Sequence, residues 1–130
     1  IIVETTHPRW ALEAADTAIV ASGTSTLEAA IYGTPMVIIY KMNPLSWWIS
    51  KLLVKTRFAG MPNLIAGRMI VPELLQTEAT PKAISEQIVR VITPGLARDN
   101  LLQNLDNIRN TLGDGDASSK AAMLILGNLS

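Results

Sequence analysis

The sequence predicts an α/β protein: a parallel sheet with flanking helices, followed by a helical C-terminal tail. Three observations predict it. Two short, β-branched apolar runs, TAIVA from Thr17 to Ala21 and MVIIY from Met36 to Tyr40, have the unbroken hydrophobicity of strands covered on both faces. A helix-like stretch separates them, so strand and helix alternate early in the chain. From Pro94 onward the pattern is helical throughout.

The elements follow in order. Ile1 to Val3 reads as the end of a strand, and Pro8 to Ala15 as a short helix. After the Thr17–Ala21 strand, a helix spans Thr24 to Tyr32, with Gly33 placed as its C-terminal cap. Met36–Tyr40 is the next strand, and Pro44 opens a helix running to about Lys55. Arg57 to Ala59 has the composition of a short strand, Gly60 to Arg68 reads as a loop, and Met69 to Leu75 as a helical turn or short helix. Thr80-Pro81 is a cap followed by proline at the first helical position, and that helix runs to about Ile92. Pro94–Leu112 and Asp114–Leu129 are two further helices, split by Gly113 and Gly115.

With 130 residues, 48% of them hydrophobic, the chain can build one domain with a real core. Eleven basic and eleven acidic residues cancel, which argues against a nucleic-acid surface as the main function. The absence of cysteine excludes a disulfide scaffold, a thiolate metal site and a thiolate nucleophile. The single histidine, His7, cannot make a histidine-rich metal cluster, and it reads as a loop residue before Pro8, as Asp16 reads as a turn residue. No apolar run reaches membrane-spanning length and no secretory signal is present, so the cytosol is the expected compartment. The sequence starts inside an apolar run without Met, as a piece of a longer protein would.

In parallel sheets ligands sit beyond the carboxyl ends of the strands, and Ser22-Gly23-Thr24-Ser25 falls at that edge. Gly23 lets backbone approach a ligand, and the hydroxyls of Ser22, Thr24 and Ser25 can cap the next helix. The free N–H groups at that helix start favour an anion such as phosphate. An ordinary strand-to-helix connection has the same composition, and spacing alone does not separate the two. Glu28, about one turn into the helix, can accept hydrogen bonds from vicinal hydroxyls such as those of a ribose; a solvated helix carboxylate is the alternative.

The stretch from Ala15 to Pro81 adds an ordered set of motifs: S-G-T-x-T-L-E-A, G-T-P-M-V, a Y-K-x-x-P-L run with its tryptophans, P-N-L-I-A-G-R and P-E-L-L-Q. In this order they resemble the C-terminal half of the lipid-A-disaccharide synthase family. The resemblance implies a two-Rossmann-domain (GT-B) glycosyltransferase fold, of which residues 1–93 would be a partial Rossmann-like donor domain and residues 94–130 the helical tail. It also implies an inverting enzyme that joins UDP-2,3-diacylglucosamine to 2,3-diacylglucosamine 1-phosphate and releases UDP. No metal or other cofactor is implied. Ser22, Gly23, Thr24 and Ser25 would face the UDP phosphates and Glu28 would hold the ribose, since Glu28, Ala29, Gly33 and Pro35 match the E-A-x-x-x-G-x-P element of this fold class.

By themselves Asn63 reads as a turn former and Arg68 as a surface charge. The resemblance makes Asn63 the catalytic candidate and Arg68 a further substrate-binding candidate, as donors for the leaving diphosphate. In the Pro44 helix, Leu45, Trp48, Ile49 and Leu52 recur at core-packing spacing. Trp47, Lys51 and Lys55 have the composition of a membrane-interface patch, which suits a family acting on lipids at the inner membrane from the cytoplasmic side.

The segment VETTHPRW departs from the Gly-rich lead-in usual for the family, so no role carries over to it. The general base is expected on an N-terminal acceptor domain, which this chain lacks, so the chain alone should not turn over. A homodimer with exchanged tails also fits the family. Two rivals stand beside this reading: another UDP-sugar enzyme of the same fold, such as an epimerase, which should lack P-N-L-I-A-G-R, and a non-catalytic module that binds phosphate or protein.

Overall fold

The computed structural model describes residues 6–53, 57–113 and 116–129. Ile1–Val3, read from sequence as a strand end, and the end of the Pro44 helix at Lys55 lie outside them. The chain runs α1 (Pro8–Ala14), β1 (Ala18–Ala21), α2 (Thr24–Ile31), β2 (Met36–Tyr40), α3 (Pro44–Leu53), α4 (Met61–Ala66), β3 (Glu73–Leu75), α5 (Pro81–Ile92), α6 (Leu96–Leu112) and α7 (Ala117–Leu129). A 3-10 turn, Gln76–Glu78, follows β3.

The sheet is parallel, in the order β1-β2-β3. Ala18 pairs with Met36 and Ala21 with Ile39 on one side of β2, and Ile38 with Glu73 on the other. This is the α/β, Rossmann-like architecture that the alternation of strand and helix predicts. β2 is central, and Met36, Val37 and Ile38 are fully buried, which is why its sequence shows no polar alternation.

The helices cover the sheet by their apolar stripes. Leu101, Leu105, Ile108 and Leu112 recur every three or four residues on α6 and are buried, with α6 packed on α2. Each such side chain contributes roughly 1.5–3 kcal/mol on burial. The C-terminal helices therefore share the core of the sheet. Thr80 caps α5 by accepting from the Ala83 N–H, as the Thr-Pro pair predicts. Gly33 follows the end of α2 at φ 70°, the left-handed turn expected of it.

Three local expectations fail. Arg57–Ala59 is not a strand, the Gly60–Arg68 segment contains helix α4, and Met69–Leu75 is extended and ends in β3. Pro62 sits in the first turn of α4, where its missing N–H costs nothing, and Gly67 closes the helix in a left-handed conformation. Proline and glycine at both ends gave this six-residue helix a loop-like composition. β3 was hidden because a three-residue strand carries no periodicity of its own and forms by pairing to β2.

Candidate functional site

The Ser-Gly-Thr turn follows β1 at the C-terminal edge of the sheet. Gly23 has φ 133° and ψ −158°, a region only glycine occupies without strain, and it is the N-cap of α2. No side chain caps α2, contrary to the expectation for Ser22, Thr24 and Ser25. The Ser22 hydroxyl donates to the Ala59 carbonyl at 2.6 Å, and Ser25 donates to the Ala21 carbonyl at 3.1 Å. The Thr26 N–H donates to the Gly23 carbonyl at 3.1 Å, and no side chain occupies the N–H groups of Thr24 and Ser25 ahead of it.

Glu28 lies on α2, half-buried. Among the described residues its carboxylate has neither a hydrogen-bond partner nor an ion pair. Its acceptor oxygens are therefore available to donors from outside these residues.

The turn is tied to a second segment. Thr26, fully buried, donates to the Gly23 carbonyl at 2.6 Å and accepts from the Met61 N–H at 3.1 Å. Together with Ser22 it holds the chain at 59–61 against the turn. From the other side comes Glu73, 8% exposed, whose carboxylate accepts from the Ala59 N–H at 2.9 Å, the Gly60 N–H at 2.8 Å and the Asn63 amide at 2.8 Å.

Asn63 is completely buried. Its amide nitrogen donates to Glu73 and to the Val71 carbonyl at 2.9 Å, and its oxygen accepts from the N–H groups of Ile70 and Val71. Both amide hydrogens and both acceptor sites are thereby used. The side chain expected to meet a leaving diphosphate is instead turned into the protein in this structure. Arg68 lies on the surface and donates to Asn104 on α6 at 2.8 Å; it makes no hydrogen bond to the Ser-Gly-Thr turn or to Asn63.

Gly60 has no room for a side chain. An added Cβ would stand 2.2 Å from the Ile38 methyl and 2.9 Å from a Glu73 carboxylate oxygen. Gly60→Ala is therefore expected to destabilise the protein by about 1–3 kcal/mol, read as a lowered urea midpoint. An unchanged midpoint would show that Ile38 and Glu73 move aside freely.

Two residues that sequence reasoning missed complete the edge. Glu73 lies in Met69–Leu75, whose pattern reads as a helical turn and so hides the pairing to β2 that brings it to residues 59–63. Gln76, at the end of β3, adopts a left-handed φ of 55°, accepts from the Met42 N–H at 3.2 Å and buries its amide nitrogen without a partner. The available signal was the P-E-L-L-Q motif itself, which holds both.

A cavity of about 370 Å³ lies between the β3 segment and helices α5 and α6, lined by Val71, Glu73, Gln87, Arg90, Asn100 and Asn104 among others. It does not include the Ser-Gly-Thr turn. On α3, Leu45 and Trp48 are 70% and 66% exposed, so the expected core packing of these two residues is wrong. A helical stripe shows that a helix has an apolar face, not what covers it. Trp47 is half-buried; the side chain of Lys51 and all of Lys55 lie outside the described residues. Among the described residues no helix is long and apolar enough to cross a membrane.

The sequence matches the family described as lipid-A-disaccharide synthetase over residues 2–125. The chain belongs to the lipid-A-disaccharide synthase family. It is 42% identical to the lipid-A-disaccharide synthase of Myxococcus xanthus over 126 residues, which cover 97% of this chain and 33% of that protein. To the synthases of Pseudomonas fluorescens and Pseudomonas syringae it is 44% and 45% identical over 116 residues, 89% of this chain and 30% of theirs. The chain thus spans about a third of the length of the curated relatives it matches.

Proposed function

We propose that this chain is the donor-binding portion of a lipid-A-disaccharide synthase. The whole enzyme would transfer a 2,3-diacylglucosamine unit from UDP to 2,3-diacylglucosamine 1-phosphate, with inversion and without a metal. The observation that carries the reading is Glu28, a half-buried residue whose carboxylate has no partner among the described residues, one turn beyond a helix start without a side-chain cap at the sheet's ligand edge. The N–H groups that open α2, with the Thr24 hydroxyl beside them, offer donors to a diphosphate, and Glu28 offers an acceptor to a ribose diol. The hydroxyls of Ser22 and Ser25 serve this site by shaping it, since each already donates to a backbone carbonyl. The P-N-L-I-A-G-R segment favours this reading over an epimerase of the same fold. The N-terminal acceptor domain, and a second copy of the enzyme, are the partners it implies.

Calorimetric titration with UDP tests it, on the full-length enzyme and on the 130-residue chain. Binding in the micromolar to sub-millimolar range, roughly 5 to 8 kcal/mol, is expected for the full-length enzyme. Absence of binding by the folded enzyme would overturn the reading. Binding by the enzyme but not by the chain would mean that residues outside these 130 complete the site.

The same reading puts the protein at the cytoplasmic face of the inner membrane, held peripherally through α3. Its support is the exposed pair Leu45 and Trp48, within a stretch from Ala29 to Pro72 that contains five basic residues and no acid. Each lysine or arginine near an anionic bilayer contributes about 1 kcal/mol. Full-length enzyme is expected to float with vesicles containing phosphatidylglycerol, and the double variant Leu45→Ser, Trp48→Ser to float markedly less. Equal flotation would remove α3 as the contact.

A further inference from the structure

The geometry assigns Glu73 as a positioning residue for the donor site: its carboxylate clamps the segment 59–63 and, through it, holds the Ser-Gly-Thr turn in place. The inference rests on the donor-site reading above. Among the described residues the carboxylate accepts from three N–H donors, those of Ala59, Gly60 and the Asn63 side chain. Two of them belong to the residues leading into α4, whose N-cap, Gly60, has no side chain of its own to offer. Glu73 thus supplies from β3 the acceptors that a capping residue supplies locally.

The clamped segment is what the turn leans on. The Ala59 carbonyl takes the Ser22 hydroxyl, and the Met61 N–H reaches the Thr26 hydroxyl, which in turn holds the Gly23 carbonyl. A route of direct hydrogen bonds therefore runs from Glu73 through residues 59–61 to Gly23, the residue that opens α2. Asn63 belongs to the same assembly, joining Glu73 to the Ile70–Val71 backbone. The absence of space for a Cβ at Gly60 follows from how closely Glu73 and Ile38 press on this segment.

Glu73→Gln keeps the size of the side chain but must turn an NH2 group toward one of its N–H partners. In the full-length enzyme it is expected to raise the KM for the UDP-sugar donor about tenfold or more, with the acceptor KM unchanged. Loss of folded protein alone would lower apparent kcat and leave both KM values where they were. Thr26→Val removes the other end of the link without touching Glu73; it is expected to raise the donor KM too, and the double variant to do little more than the stronger single one, because both act through one segment. Thermal unfolding confirms that each variant is folded at the assay temperature. If Glu73→Gln does not fold, Thr26→Val carries the test. A folded variant with unchanged donor KM, or a fall in kcat alone, would overturn the assignment. Wild-type enzyme that fails to saturate with UDP-sugar would overturn the donor-site reading itself and this assignment with it.

Discussion

Glu28→Ala is expected to weaken UDP binding about 10- to 150-fold in the full-length enzyme, the loss of hydrogen bonds to a charged group worth roughly 1.5–3 kcal/mol. The carboxylate has no partner among the described residues, so removing it strands none of them. The fold should therefore hold, with an unchanged melting temperature. Glu28→Gln keeps one acceptor oxygen and should fall between the wild type and the alanine variant. UDP should lose more than uridine-free diphosphate does, since the proposed contact of Glu28 is to the ribose. Equal affinity of wild type and Glu28→Ala in calorimetry would remove Glu28 from the site.

Asn63→Ala is expected to act in the opposite way, on stability before activity. The side chain is fully buried and makes four hydrogen bonds. Its loss strands the N–H groups of Ile70 and Val71 and the Val71 carbonyl, and removes one of three donors to the buried Glu73 carboxylate. Each stranded group costs about 1–3 kcal/mol, and because they share one network the sum is about 3–5 kcal/mol. Against the 5–15 kcal/mol typical of a whole domain, that corresponds to a fall in melting temperature on the order of 10 °C or more. Asn63→Asp should also destabilise, by setting a second carboxylate beside Glu73. An Asn63→Ala enzyme with native melting temperature and abolished turnover would instead restore Asn63 to direct contact with substrate.

These two residues differ in how legible they were. Glu28 stands in E-A-x-x-x-G-x-P, and its setting is local: a helix start, a strand end and the turn between them lie within a dozen residues. Asn63 was legible as a residue of interest, through its motif, but not as a buried one. Its partners Val71 and Glu73 are eight and ten residues away, in an extended segment that local pattern misread as helical.

The sequence by itself determined the alternation of strand and helix, the buried centre of the sheet at Met36–Ile38, the capped start of α5 and the stripe of α6. Each depends on neighbours within a turn or two, where propensity, capping and period act directly. The ordered motifs likewise carried the family. Tertiary structure alone decided that P-N-L-I-A-G-R contains a helix, that Leu45 and Trp48 face outward, and that the Ser22 and Thr26 hydroxyls bind a segment 37 and 35 residues further on. The reason is physical. A buried polar group takes whatever partner the fold brings to it, and the identity of that partner is a property of the packed chain rather than of its neighbours in sequence.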